Sequence, residues 1–345
     1  MSDTSITRKG AKEGLHIGRL LLEGRAFFAL IAIVAVFSFL SPNYFTVSNF
    51  LIMASHVAIY GILAIGMLLV ILNGGIDLSV GSVLALSGVM AGAMMQGVEV
   101  GPLGMIFYLP VWGVVVVTCA IGAAVGAING VLIAWFKVPA FVATLGVMYV
   151  ARGVALLQTN GLTYNNLSGK PELGNTGFDW LGFNRLAGIP IAVVVLFVLA
   201  VLTWLMLSRS SFGRWLYASG GNERAADLSG VPVKRVKITV YVISGILSAV
   251  AGLVLSSQLT SAGPTAGTTY ELTAIAAVVI GGAALTGGRG TVQGTMLGAF
   301  VIGFLSDGLV IIGVSSYWQT VFTGAVIVLA VLMNSIQYGK GARRS

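Results

Sequence analysis

The chain has 345 residues, 57% hydrophobic and only 9% charged, with a mean hydropathy of +0.97 and a formal net charge of +8. A soluble globular domain carries about 25% charged residues, so a soluble enzyme, a nucleic-acid-binding domain and a disordered scaffold are excluded. Two His and the single Cys119 supply neither a zinc constellation nor a disulfide framework. The composition is that of an integral membrane protein.

A helix needs about 20 mostly apolar residues to cross roughly 30 Å of hydrocarbon. Residues 1–25 read as a basic cytoplasmic tail, within which 15–22 fits either a surface-lying amphipathic helix or a flexible segment. Ten apolar runs follow, at 26–40, 50–72, 78–96, 110–135, 138–158, 190–208, 238–257, 271–286, 291–314 and 317–335. They predict an all-α integral membrane protein of about ten transmembrane helices, one domain over 26–335, and a short cytoplasmic tail over 336–345. The basic start and first run also suit a cleaved signal peptide, but the Ser-Pro-Asn-Tyr-Phe after Leu40 has no small-x-small cleavage site. The first run is therefore read as an uncleaved span. Sixteen of the nineteen Lys and Arg residues fall on one side of this topology; only Lys170 and Arg185 fall on the other, and Arg152 lies inside a run. The positive-inside bias predicts that both termini are cytoplasmic.

Two hydrophilic segments stand out. The outer loop 159–189 holds Tyr164, Phe178, Trp180 and Phe183 among Gly, Asn and Pro. Loops this long are usually functional or disordered, and the aromatics predict a folded cap or docking surface, with a passive lid as the alternative. The inner loop 209–237 contains eight charged residues. Asn222 is a good helix cap, Glu223 suits the helix dipole, and Gly230 with Pro232 marks a stop. A two-turn helix over 223–229, lying across the cytoplasmic face, is expected: more than a connector needs, and suited to be a handle for another protein.

The chain has 47 glycines. The pairs Gly88–Gly92 and Gly294–Gly298 and the series Gly122, Gly126, Gly130 are small-xxx-small patterns that let helices approach closely. A second pattern repeats: Gly74-Gly75-Ile76-Asp77-Leu78-Ser79-Val80-Gly81 and Gly281-Gly282-Ala283-Ala284-Leu285-Thr286-Gly287-Gly288 share GGxxL[ST]xG, each between two apolar runs. Non-helical backbone at membrane depth is tolerated where it is buried in protein or lines a wet cavity, and transporters place substrate at such breaks. The other reading, which the topology favours, is a tight cytoplasmic turn. Ionisable groups in or beside the runs are few: Asp77, Arg152, Glu271, Asp307 and His56. An intramembrane charge is a functional candidate because its insertion costs about 2.5–3.5 kcal/mol or more. Asp77 also suits a cap for the following helix, and Arg152 and Glu271 sit near run ends. The poverty of charge argues for an uncharged polar solute and against ion coupling. No GxxxxGK[ST] loop is present, so any nucleotide hydrolysis belongs to another chain.

Four stretches carry a resemblance: ILNGGIDLSVGSVLAL at 71–86, VPAFVATLGVMYVARG at 138–153, YASGGNERAADLSGVPVKRVK at 217–237 and SAGPTAGTTYELTAIAAVVIGGAALTGGRGTVQGT at 261–295. Over residues 41–332 the chain resembles the permease subunits of bacterial ATP-binding-cassette importers of the ribose type. The resemblance implies a cytoplasmic ATPase, a periplasmic sugar-binding protein and a second permease, identical or closely related, as partners in the inner membrane. It implies no cofactor and no covalent chemistry on this chain. It assigns coupling to the ATPase to Glu223, Arg224, Ala225, Ala226, Asp227, Leu228 and Gly230, and docking of the binding protein to 159–189 and 263–271. For the path of a sugar or polyol, polarity or ring character beside Gly and Pro breaks selects Asn73, Asp77, Asn129, Phe141 and Thr144, with Gly74, Gly75, Gly81, Gly281, Gly282 and Gly288 as the breaks. For each path residue an internal hydrogen bond or plain packing is the competing explanation. A secondary transporter acting alone leaves the charged inner loop unexplained. A membrane enzyme lacks a convergent acid, base, nucleophile or metal set.

Overall fold

The computed structural model describes residues 25–100 and 105–339; residues 1–24, including the 15–22 segment, and residues 340–345 of the two tails lie outside the described residues. Each of the ten apolar runs holds one long helix. In chain order these are α1 (Arg25–Leu40), α2 (Val47–Leu72), α3 (Val80–Gln96), α4 (Val111–Ala134) and α5 (Ala140–Thr159), then α7 (Ile191–Arg209), α10 (Val233–Leu259), α11 (Tyr270–Ile280), α12 (Val292–Ile311) and α13 (Ser316–Gly339). Three further α-helices lie between the runs: α6 (Trp180–Phe183), α8 (Ser211–Gly221) and α9 (Glu223–Leu228). Six of the long helices (α2, α4, α5, α7, α10 and α12) are long and apolar enough to cross a membrane; α1, α3, α11 and α13 have shorter apolar stretches.

The centre is α2. From Met53 to Leu72 it is buried almost all round, as expected of a helix that is hydrophobic on every face. It packs on α10, α12, α11 and α7. Around it the glycine stripes set the spacing. Gly122, Gly126 and Gly130 of α4 lie against the backbone of α10 at Gly245, Tyr241 and Ile238. Gly294 and Gly298 of α12 lie against Gly281 and Ala277 of α11, and Gly88 of α3 lies against Ser256 of α10. With little hydrophobic drive between helices in lipid, such close backbone approach supplies the packing.

Short antiparallel pairs organise the outer side. β1 (Val98–Val100) pairs with β2 (Met105–Phe107), and within the outer loop β4 (Arg185–Leu186) pairs with β5 (Ile189–Pro190). β3 (Tyr164–Asn165) pairs with β6 (Ser261–Ala262), stitching the outer loop to the chain after α10. The loop is folded down rather than free: Phe178 is buried and its carbonyl accepts from Ser257 Oγ at 2.7 Å. Asn175 Nδ2 donates to the Met95 carbonyl at 2.9 Å.

Two helix boundaries depart from the hydropathy runs. Helix α10 begins five residues before its run, carrying Lys234, Arg235 and Lys237 on its first turns. Helix α11 ends at Ile280 although the apolar run continues to 286, because Gly282, Gly287 and Gly288 take φ of +92°, +91° and +70°. At about 1.5 Å per residue the eleven residues of α11 span only about 16 Å. Its start is also deep: Tyr270 meets the ring of Tyr60, midway along α2, at 4.8 Å. The preceding chain runs inward without helix, and Arg152 of α5 holds it by donating from Nη1 to the carbonyls of Pro264 (2.6 Å) and Ala266 (2.8 Å). Gly81 at the start of α3 packs against Gly267 and Glu271 there.

The stripe on α4 gives a direct test. Gly126→Leu forces α4 from α10 and is expected to destabilise the detergent-solubilised chain by about 3 kcal/mol or abolish its folding. Gly146→Leu on α5, where no atom lies within 4 Å of an added Cβ, leaves thermal unfolding unchanged. Equal melting temperatures for the two variants contradict this packing.

Candidate functional site

The first glycine motif begins where α2 ends. Asn73 closes the helix with its N–H bonded to the Leu69 and Val70 carbonyls, and Gly74 turns the chain with φ +79°. The chain then climbs back beside α10 without helix as far as Ser79. The climb is measurable on α10: Ser244, which meets Asp77, lies eleven residues beyond Val233, about 16 Å up the helix. Asp77 is 2% exposed and has three donors. Its Oδ1 accepts from Ser79 N (2.9 Å) and Ser79 Oγ (2.6 Å), and its Oδ2 accepts from Ser244 Oγ (2.9 Å). Asn129 Nδ2 of α4 donates to the same Ser79 hydroxyl at 2.9 Å. From α5, Thr144 Oγ1 donates to the Ile76 carbonyl at 3.2 Å and to the Ala140 carbonyl at 2.9 Å. One irregular segment is thus held by α4, α5 and α10, as buried non-helical backbone requires.

The second motif meets the first where α2 ends. Gly288 N donates to the Leu72 carbonyl at 2.9 Å, and the turn over 284–289 is closed by Ala284 N to the Arg289 carbonyl at 2.9 Å. Helix α8 presses Gly220 onto this junction; a Cβ there would collide with both Leu72 and Gly288. Tyr217 Oη donates to the Gly290 carbonyl at 2.8 Å; burial raises its pKa above the ordinary tyrosine value, so it stays a donor. Ser219 Oγ lies 3.4 Å from Asn73 Oδ1. Ser210 caps α8 by accepting from Gly213 N at 3.1 Å.

Helix α9 follows directly. Asn222 Oδ1 accepts from Ala225 N at 3.0 Å as its cap, and Gly230 leaves it with φ +83°. Lys237 Nζ of α10 donates to both oxygens of Glu223, at 2.8 and 2.7 Å, tying α9 to the base of α10. Ala226 turns inward and is buried, whereas Glu223, Arg224, Ala225 and Asp227 are exposed and Leu228 is 82% exposed. Between α9 and the break lies a cavity of about 720 Å³. Its roof is Asn73, Gly74, Gly75 and Tyr241, one side is Lys137, Pro139 and Ala140 of the α4–α5 link, and its floor is Glu223, Arg224 and Asp227. The Tyr241 hydroxyl at the roof is buried without a hydrogen-bond partner.

The structure therefore divides the residues selected from the sequence. Asn73, Gly74 and Gly75 line the cavity, and Phe141, 55% exposed, follows directly on Ala140 at its side. Asp77, Asn129 and Thr144 are buried in the network that holds the break. Gly81 packs on the inward-running segment before α11, Gly281 and Gly282 end α11, and Gly288 joins the two motifs. Ser79, Ser244, Tyr217, Gly220 and Tyr241 were not selected; Ser79 carried a signal as the hydroxyl position of the repeated glycine motif, and Tyr217 and Gly220 as part of the charged inner loop. Among the described residues no group of three His, Cys, Asp or Glu is placed to hold a metal ion.

The family described as "Branched-chain amino acid transport system / permease component" matches residues 49–331. The ribose import permease protein of Escherichia coli (strain K12) is 44% identical over 315 residues, covering 91% of this chain and 94% of that protein. That of Bacillus subtilis (strain 168) is 44% identical over 322 residues, covering 93% and 95%. The xylose transport system permease protein of Escherichia coli (strain K12) is 35% identical over 362 residues, covering 89% and 90%. The family description names amino acids, whereas these full-length relatives are named for sugars. No solved structure matches the chain.

The buried carboxylate network makes a stability prediction. Asp77→Ala strands the Ser79 and Ser244 donors and is expected to cost about 3 kcal/mol, and Ser244→Ala about 2 kcal/mol. Both should appear as lowered melting temperatures of the purified chain; wild-type melting of Asp77→Ala would remove the network from the account.

Proposed function

The chain belongs to this permease family, within its ribose-type sugar-importer members, and on that premise we propose how it works. It is a multi-pass permease subunit of the inner membrane, part of an ATP-binding-cassette sugar importer, and a transport subunit whose ATP hydrolysis is carried by a separate chain. Such an importer also uses a periplasmic binding protein. In the proposed arrangement all ten long helices cross the membrane with both termini cytoplasmic, and two permease copies, identical or related, face each other. The relatives named for ribose and for xylose are both named for pentoses, which favours a pentose-like monosaccharide, with the binding protein making most of the selection.

The observation that carries the mechanism is α9: a capped helix that exposes Leu228, clamped by Lys237 to α10 and bordering the cavity under the break. An exposed leucine on an otherwise charged cytoplasmic helix suits seating in a groove of the ATPase, with Arg224, Ala225, Asp227 and Gly230 around it. Force delivered there passes through α8 and Gly220 to the junction of Leu72 with Gly288, and through Lys237 to α10. The break over 73–79 and the α4–α5 link then part, and the cavity becomes the exit for sugar, with Asn73 and Phe141 beside it. Asp77, Asn129 and Thr144 serve as the hydrogen-bonded frame that lets the break move as a unit.

Capture of the solubilised permease from its own membrane tests this. Wild type should bring down an ATPase; Leu228→Asp, which disturbs no buried contact, should reduce its recovery at least tenfold with unchanged melting temperature. Retention of the ATPase by Leu228→Asp and by Arg224→Ala together would remove α9 from the coupling role. Phe141→Ala is expected to lower uptake several-fold in the reconstituted importer while ATPase capture persists; unchanged uptake takes Phe141 off the path.

A further inference from the structure

A second polar cavity, of about 280 Å³, lies in the outer half of the bundle, where α2, α10, α11 and α12 meet. His56 and Tyr60, one turn apart on α2, share a face, and Gln258 of α10, Tyr270 at the start of α11 and Asp307 of α12 complete the polar wall. The Tyr60 and Tyr270 rings stand edge to face, with centroids 4.8 Å apart and planes at 60°. His56 Nδ1 lies 3.3 Å from Asp307 Oδ1, while Asp307 Oδ2 is shut from solvent with no hydrogen-bond partner. Gln258 Nε2 is held by Ser55, donating to its carbonyl at 3.3 Å and its hydroxyl at 3.1 Å. A neighbouring cleft of about 230 Å³ shares His56 and Gln258 and reaches Phe183 and Arg185 of the outer loop.

Packing alone does not explain this wall. The inner half of α2 carries only Gly, Ala, Val, Ile, Leu and Met, whereas here a carboxylate and an imidazole stand among membrane helices, a placement costly enough to mark a functional site. Two aromatic rings beside a carboxylate, an amide and an imidazole suit a polyhydroxylated ring. Its C–H face rests on the rings, and its hydroxyls donate to Asp307 and exchange hydrogen bonds with the tyrosine hydroxyls and Gln258. The carboxylate repels a phosphorylated sugar.

We propose that this cavity is a receiving subsite for one neutral monosaccharide, entered from the outer face and occupied before the cytoplasmic break opens. The proposal rests on the importer reading above. Asp307 and Gln258 accept the sugar's hydroxyls, and Tyr60 and Tyr270 stack on it and set its orientation.

Saturation-transfer NMR on the purified full-length permease in nanodiscs, with no binding protein present, tests the subsite with D-ribose as the probe and D-ribose 5-phosphate as the anionic control. Wild type should transfer saturation to D-ribose and not to the phosphate ester. Asp307→Asn and Tyr270→Phe, which keep side-chain volume, should each reduce the transfer at least fivefold. In liposomes holding the complete importer the same variants should lower the maximal uptake rate about tenfold, the loss of a hydrogen bond worth about 1.4 kcal/mol. The half-saturating sugar concentration, set by the binding protein, should not move. No transfer from wild type to D-ribose, D-xylose or D-galactose overturns the subsite, as does equal transfer to the phosphate ester or wild-type behaviour of both variants. Failure of the importer reading shows separately, as absence of the ATPase from the captured permease.

Discussion

The half of the bundle that holds α8 and α9 depends on one backbone hydrogen bond, from Gly288 N–H to the Leu72 carbonyl, made directly over Gly220. Three chain segments meet there with no space for a side chain: the end of α2, the turn after α11 and the last turn of α8. Loops connecting membrane helices are ordinarily loose; this one is as tight as a helix–helix crossing. Because α8 runs through Asn222 into α9, a push on the exposed helix reaches the ends of α2 and α11 without passing through a flexible link. The Tyr217–Gly290 bond and the Lys237–Glu223 pair brace the same unit on either side.

The first motif shows how a membrane protein keeps irregular backbone without stranding its polar groups. Asp77 spends both oxygens on local and long-range donors, Ser79 hands its own hydroxyl to Asp77 while accepting from Asn129, and Thr144 covers the Ile76 carbonyl. The long-range partners Asn129, Thr144 and Ser244 come from three different helices, so the segment can shift only if α4, α5 and α10 shift with it or the network breaks. The second motif carries Ala284 where the first has Asp77, and it lies at the junction with Leu72 rather than climbing between helices. The two copies share a sequence pattern and differ in placement: the first lines the cavity beside α9, and the second joins the end of α2 to α8.

What the sequence made legible follows from which forces are local. Hydropathy located all ten long helices because burial in lipid is written residue by residue, and Asn222, Glu223 and Gly230 announced α9 because caps act within one turn. The glycine stripe at Gly122, Gly126 and Gly130 was readable from spacing, though not its partner. The early end of α11 was legible in part, since Gly281 and Gly282 stand inside the 271–286 run as breaks; the depth of its start was not, because Arg152 holds the preceding chain from another helix. Phe141 and Thr144 looked equivalent as neighbours near a Pro break, yet one faces out and the other is buried. The turn geometry of α5, not residue type, separates them. Asp77 and Asn129 were selected because polarity inside a membrane marks function; the structure shows them buried and hydrogen-bonded around the first helix break. His56 and Asp307, 251 positions apart, could meet only in the fold.

The central claim is that α8, α9 and the two helix breaks move as one body against the α4–α5 link. Pulsed electron-resonance distances in the complete importer, with labelled permease diluted among unlabelled copies, address it most directly. One label pair at Arg214 and Thr286 reports within the body, and a second at Lys137 and Asp227 spans the cavity. Between the nucleotide-free and ATP-trapped states the first distance is predicted to stay fixed and the second to change by several ångströms. A first distance that moves as much as the second, or a second that stays fixed during turnover, would contradict the account.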